Sequence, residues 1–448
     1  MLMQSKQRTQ LTVMTAALVG MSLSLSGQQP PAQGTPPPAA QAPPPASATN
    51  LGSDANGNPL RRALKTGHVS NYDESKVGTY TLPDPLVLAN GKPVRDRQTW
   101  LKERRPEILR LYETEIYGRM PAKTPSVKWH VAETDAKARD GAAVMKKIVG
   151  TVGGGPDAPQ IKVTLYTPAA VTKPVPVILL VNFGGGAAPP PGAQGRGPGL
   201  PTDPPVAAEI ISRGWGYAMV GYNDIQPDRA ATFTQGVVGL TLAPGQEQPG
   251  ADEWGTISAW SWGVSRIIDY LETDRAVNAR QIALFGHSRL GKTALWATAK
   301  DERIAAAYSS CSGEMGAALA RRDWSETLDY MAQNFPWQFA GNLQKYVGRW
   351  NEMPVDAHML IALSAPRPVF ISGGTADQWA DPVGMFKAAV AAGPVYRLLG
   401  KKDLGTTELP AVDTPLVSGD LGWNYHTGGH TATPADWKAF LDFLGKYF

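Results

Sequence analysis

The stretch Gln281-Ile-Ala-Leu-Phe-Gly-His-Ser-Arg-Leu-Gly-Lys-Thr-Ala-Leu-Trp-Ala-Thr-Ala-Lys300 sets an apolar run, one serine and a helix-like run in direct succession. Residues 281–285 have the composition of a buried strand, and 292–300 have that of a helix. A serine at the sharp turn between such a strand and helix is exposed at the strand's carboxyl end, the context of a nucleophile elbow. Gly286 and Gly291 leave room where the chain folds back on its own helix. The usual elbow carries its second glycine one residue earlier, so Leu290 is a departure. Ser288 is therefore the candidate nucleophile, and its alternative role is that of a helix N-cap.

Outward from this point the pattern is strands alternating with helices. Residues 143–152 and 160–168 read as a hairpin, and 175–183 as a fully apolar strand. Further strands are expected at 216–222, 281–285, 304–310, 368–373 and 395–399. Helices are expected at 97–117, 256–272 and 434–447, the first packed against the edge of the domain. An antiparallel start followed by right-handed crossovers describes a mostly parallel sheet of about eight or more strands, covered by helices on both faces. The architecture that fits is the α/β-hydrolase fold, an α/β/α sandwich. Two insertions interrupt it, 187–204 and 315–366, and both are expected over the active site.

The 448 residues suit one large catalytic domain, expected at 61–448. Residues 1–27 combine Lys6 and Arg8 with the apolar run 11–25, as a secretory signal peptide does. The Pro/Ala-rich segment 28–60 reads as a disordered spacer. The chain is thus expected to be secreted or periplasmic, with a single membrane anchor as the alternative reading of its first residues. A single cysteine, Cys311, excludes an intrachain disulfide, so packing alone must stabilise the fold. The formal net charge of +4 points to neither nucleic acid nor membrane as a partner. A monomer is expected.

A serine hydroxyl needs a base to take its proton, and histidine is suited to that near neutrality. Of six histidines, His426 and His430 lie in Trp423-Asn-Tyr-His-Thr-Gly-Gly-His-Thr-Ala-Thr-Pro-Ala-Asp-Trp437, before the C-terminal helix. That is where the fold places its histidine. His430 is preferred because Gly428 and Gly429 allow its loop to approach Ser288. The same pair four residues apart is a poor zinc site, since the glycines prevent helical presentation, and no metal or cofactor is expected. The carboxylate that orients the histidine is assigned to Asp377, after the strand 368–373, with Glu314 and Asp381 as alternatives. Oxyanion donors are expected from the backbone N–H and guanidinium of Arg289 and from the glycine loop at 184–186.

Ser288-Arg289 and Lys292 in the elbow, Trp260-Ser-Trp-Gly-Val-Ser-Arg266, and Gly428-Gly-His-Thr-Ala-Thr433 together resemble the bacterial glucuronoyl esterases over about residues 90 to 448. The resemblance implies hydrolysis, without a cofactor, of the ester between 4-O-methyl-glucuronic acid on glucuronoxylan and lignin alcohols. It implies Ser288 as nucleophile, His430 as base and Arg289 as oxyanion stabiliser, with Lys292, Glu326 and Trp379 holding the sugar. One departure stands out. Many members place a glutamate acid just after the strand 304–310, and here that position is Cys311; Asp377 matches the alternative acid position of other members. Two other readings are a different carbohydrate carboxylesterase, such as an acetylxylan esterase, and a carbohydrate-binding protein on an inactive hydrolase scaffold.

Overall fold

The computed structural model describes residues 49–155, 158–184 and 203–448. The signal peptide, most of the spacer and most of the insertion at 187–204 lie outside the described residues. Residues 49–60, assigned from the sequence to the spacer, are instead folded. There β1 (Asn50–Ser53) pairs antiparallel with β2 (Pro59–Arg61).

Nine further strands form one sheet: β3 (Val127–Ala138), β4 (Ala143–Val152), β5 (Gln160–Pro168), β6 (Val175–Asn182), β7 (Gly216–Gly221), β8 (Val277–His287), β9 (Ile304–Ser310), β10 (Val369–Gly374) and β11 (Leu421–His426). Their spatial order is β11-β10-β9-β8-β6-β7-β5-β4-β3. All pairings from β11 across to β7 are parallel, and β5, β4 and β3 continue antiparallel. This is the α/β-hydrolase architecture expected from the sequence.

The period-two alternation of β6 divides the core in two. Val177, Leu179 and Val181 face one layer, where they pack with Trp260, Ile267, Leu295 and Trp296 from the helices Thr256–Leu271 and Arg289–Lys300. Ile178 and Leu180 face the other, with Phe285, Tyr308 and Phe370 against Trp437, Phe440 and Phe443 of the helix Pro434–Leu444. That last helix is started by a capping box in which Thr433 and Asp436 satisfy each other's backbone N–H groups.

Four elements depart from the sequence expectations. The strand expected at 395–399 is the end of the helix Pro382–Leu398, in which Ala388, Ala389, Ala392, Val395 and Tyr396 are all buried at helical spacing. Gly393 and Pro394 are poor helix formers, but burial overrides their propensity. The true last strand, β11, went unrecognised because Gly422 and Asn424 are weak strand formers. Gly422 is required there, since a Cβ would sit 2.6 Å from the Phe370 ring. The segment at 97–117 is helical from Arg97 to Ile116, with π-helical turns at Trp100–Arg104 and Tyr112–Ile116. It packs not on the domain edge but on the elbow helix: the Tyr117 ring lies tilted against Trp296 at 5.1 Å, and Arg105 donates 2.7 Å to the Ala299 carbonyl. β3 was also missed, being an edge strand with an exposed, charged run.

No helix among the described residues is long and apolar enough to cross a membrane. The elbow rests on Gly286, where an added Cβ would lie 1.9 Å from the Leu290 carbonyl oxygen, a backbone atom that cannot swing aside. Gly286→Ala is expected to cost about 1–3 kcal/mol of stability by overpacking, read as a lowered thermal unfolding midpoint. Gly429→Ala, where nothing lies within 4 Å of the added atom, should leave the midpoint unchanged.

Candidate active site

Four adjacent parallel strands end level with one another. His287 on β8 faces Ser310 on β9, Ser310 faces Ser372 on β10, and Gly374 faces His426 on β11. The loops that leave these strands at their carboxyl ends carry Ser288, Cys311, Asp377 and His430 respectively. Parallel pairing, continuous from Ala283 to the carboxyl ends after one irregularity between Ile282 and Ala283, thus brings together residues up to 142 positions apart in sequence.

Ser288 sits at φ 58°, ψ −129°, a backbone state that costs a non-glycine residue about 1–3 kcal/mol and persists only where the surroundings impose it. Its N–H donates 2.8 Å to the Ser310 carbonyl, and its own carbonyl accepts from Gly291 and Lys292. Its hydroxyl makes no capping bond to the helix it precedes, which removes the N-cap reading. Gly291 is required for a different reason from the one read in the sequence: a Cβ there would meet not its own helix but Ser309 and Ser310 of β9 and Ser312 just after it, the last at 2.9 Å.

The imidazole of His430 meets the carboxylate of Asp377 at 2.7 Å through Nδ1. Asp377 is buried, while the His430 side chain is 40% exposed and so reaches into the cleft. The loops carrying the two residues are tied together: Ala376 N–H donates 2.7 Å to the Gly428 carbonyl, and Thr375 N–H 2.9 Å to that of His426. The His430 ring lies 4.6 Å from that of His287, the residue before Ser288. His287 thus backs the His430 ring.

The alternatives are otherwise engaged. His426 meets Asp436 at 2.9 Å through Nδ1 and the Gly429 carbonyl at 3.2 Å through Nε2, so both nitrogens brace the loop that bears His430. Asp381 caps the helix Pro382–Leu398 through the Gly384 N–H at 2.9 Å and pairs with Arg322 at 2.9 Å. Glu314 is buried with Oε1 unpartnered. Burial, reinforced by the charges of Asp356 and Glu326, pushes its carboxyl well above the usual range. Cys311 is buried in a left-handed conformation at φ 46°, and burial raises its thiol well above the ordinary value.

The guanidinium of Arg289 pairs with Asp228 and lies 5.3 Å over the Phe335 ring. Asp228 is gripped in turn by Trp337 Nε1 at 2.7 Å and Gln338 Nε2 at 2.8 Å. Sequence reasoning missed Asp228 and Gln338; the aromatic richness of the insertion 315–366 was the one available signal, and Trp337 belongs to it. Of the glycine loop at 184–186 only Gly184 is described, its N–H bound to Asn182 Oδ1 at 2.9 Å and its φ at +69°. Lys292 is buried with Nζ 3.7 Å from Glu326, and burial lowers its pKa. Trp379 is half-buried, edge-on to Tyr330 at 5.2 Å. Its carbonyl accepts 2.7 Å from Ser325, next to Glu326, so Lys292, Glu326 and Trp379 are brought into one region.

The family model described as "Glucuronyl esterase, fungi" matches residues 249–400. The chain is 37% identical over 402 residues to carbohydrate esterase MZ0003 of an unknown prokaryotic organism, covering 84% of this chain and 92% of that one. A 4-O-methyl-glucuronoyl methylesterase of Cerrena unicolor is 30% identical over 346 residues, 75% of this chain and 64% of its own length. A solved glucuronoyl esterase from Solibacter usitatus superposes with a TM-score of 0.76 at 41% identity, over 83% of this chain and 99% of that chain. The chain belongs to the glucuronoyl esterase family and is a carboxylic ester hydrolase.

Three carboxyl substitutions should separate cleanly. Asp377→Asn is expected to lower kcat by about 10⁴-fold through loss of the imidazole's orientation. Asp381→Asn should lower the unfolding midpoint and leave the catalysed rate of the folded fraction intact. Glu314→Gln should retain the rate. Because the Glu314 carboxyl titrates above its ordinary value of 4.5, its cost to the fold grows as pH rises from about that value. Denaturant midpoints should therefore fall less steeply between acid and neutral pH in Glu314→Gln than in the parent.

Proposed function

We propose that this esterase hydrolyses 4-O-methyl-glucuronoyl esters joining glucuronoxylan to lignin alcohols, with Ser288 as nucleophile, His430 as base and Asp377 as the orienting acid. The observation that carries the assignment is the 2.7 Å bond from His430 to buried Asp377, beside a serine held in a strained elbow. Support for the substrate comes from the family and from the naming of its relatives as glucuronoyl esterases and 4-O-methyl-glucuronoyl methylesterases.

His430 Nε2 takes the proton of Ser288 as the hydroxyl attacks the C6 carbonyl of the uronate ester. The oxyanion is stabilised by the Arg289 N–H and guanidinium. Collapse of the tetrahedral intermediate expels the alcohol, which receives the proton held on His430. Water then enters, His430 takes its proton, and a second tetrahedral intermediate breaks down to uronic acid and free Ser288. Through both halves Asp377 keeps the proton of Nδ1 in place, so that Nε2 presents its lone pair. Lys292, Glu326 and Trp379 hold the sugar hydroxyls and ring. The chain is exported by its N-terminal signal, which suits a polymeric substrate outside the cell.

The discriminating experiment compares benzyl glucuronate with 4-nitrophenyl acetate. A kcat/KM that favours the uronate ester supports the reading; preference for the acetate would move the enzyme to the acetyl esterases. Arg289→Ala should lower kcat on the uronate ester by about 10²- to 10³-fold, the usual loss for one fixed oxyanion donor. Asp228→Ala should reproduce part of that loss by freeing the guanidinium.

A further inference from the structure

We propose that Cys311, Asp377 and His430 form an inhibitory site for a soft divalent cation such as Zn²⁺. The thiol, one carboxylate oxygen and one ring nitrogen all lie within 4.8 Å of one another. Among the described residues this is the one place where three such side chains converge. The donor set matches the preference of Zn²⁺ and Cd²⁺ for thiolate and imidazole with a carboxylate.

The cysteine is held in place from two sides. Its N–H donates 2.8 Å to the Ser372 carbonyl of β10, and its thiol donates 3.6 Å to the Thr431 carbonyl, next to His430. Together with the positive φ, these bonds fix the sulfur between the acid loop and the histidine loop. Bond lengths of about 2.0–2.3 Å to a tetrahedral ion place donors about 3.3–3.8 Å apart. The 2.7 Å contact between Asp377 and His430 would open by less than about 1 Å, and the longest separation would close by a little over 1 Å. Access runs through the exposed side of the His430 ring.

Coordination abolishes the base by moving one proton. In the resting site Nδ1 carries the proton, shared with Asp377, and Nε2 offers its lone pair to Ser288. The ion takes the Nδ1 lone pair, so the one proton of the neutral imidazole resides on Nε2. The thiol proton leaves to solvent and the sulfur binds as thiolate, giving a net release of one proton per ion. Nothing is oxidised. With Nε2 protonated, His430 cannot accept the proton of Ser288, and both halves of the ester cycle stop.

A single cysteine makes the test unambiguous. The full folded chain is titrated with cadmium chloride while the ultraviolet Cd–thiolate charge-transfer band is followed. In parallel, ester hydrolysis is measured with zinc chloride, with magnesium chloride as control and a chelator for reversal. The band should saturate at one ion per chain in the parent and in Ser288→Ala, a readout independent of activity, and should be absent in Cys311→Ala. Zn²⁺ should inhibit reversibly and Mg²⁺ should not. Losing one ligand should raise the half-inhibiting Zn²⁺ concentration, relative to each variant's own metal-free rate, by at least about 10- to 100-fold. If Cys311→Ala fails to fold, Cys311→Ser, closer in size and unable to give the thiolate band, takes its place. No band in the folded parent, a band without loss of rate, or equal inhibition of parent and variant would each overturn the proposal.

Discussion

The parallel ladder from β8 to β11, in register from Ala283 of β8 to the carboxyl ends, is the constraint on which the active site depends. A one-residue slip in any of these pairings would turn each side chain of that strand to the opposite face and carry its loop with it. The apolar faces prevent the slip, because Phe285, Tyr308 and Phe370 must face Trp437 and Phe440 while Ile282, Leu284, Ala307 and Ile371 face the opposite layer. Core packing therefore specifies where Ser288, Cys311, Asp377 and His430 emerge. The loops contribute the last few ångströms: two backbone bonds join the Asp377 loop to the His430 loop, and His426 with buried Asp436 braces the latter from beneath. That brace also ties the start of the C-terminal helix to the catalytic loop, so local capping and site geometry share one carboxylate.

Much of this was legible in the sequence for a physical reason: fully buried parallel strands are continuous apolar runs, and an elbow needs small residues at fixed offsets. The bounds of β4 and β5 agree with the reading to the residue, and Gly286 and Gly291 sit against atoms that exclude a side chain. What escaped was determined by tertiary contacts. β11 is built from residues of weak propensity that are retained because Gly422 admits Phe370 and Phe443. The end of the helix Pro382–Leu398 crosses Pro394 because its neighbours are buried. Asp228 is silent in sequence, since an aspartate between a proline and an arginine is ordinary turn composition. Only the folded chain sets it against Arg289, Trp337 and Gln338. The choice among Asp377, Glu314 and Asp381 was likewise beyond spacing alone. It turns on which carboxylate reaches an imidazole, which is desolvated without a partner, and which is used as a cap.

The two cations flanking the nucleophile are each matched by a carboxylate, Arg289 by Asp228 and Lys292 by Glu326. An unpaired guanidinium and ammonium in a half-buried cleft would hold the anionic product far more tightly than the neutral ester, because charge–charge attraction grows as water is excluded. Pairing lowers that difference. The ester carbonyl is uncharged on arrival, acquires negative charge only at the tetrahedral stage, and leaves as a carboxylate. A cation already engaged by a fixed acid retains donor hydrogens for the oxyanion while offering the departing uronate less net attraction. The insertion 315–366 gives this arrangement its rigidity, since Trp337 and Gln338 both grip Asp228, so the acid keeps its position as the cation redistributes its bonds. On this reading, the aromatic insertion serves the chemistry through the field around Arg289 as well as through the shape of the cleft, and the pairing is what allows one cationic site to assist bond cleavage without trapping what it makes.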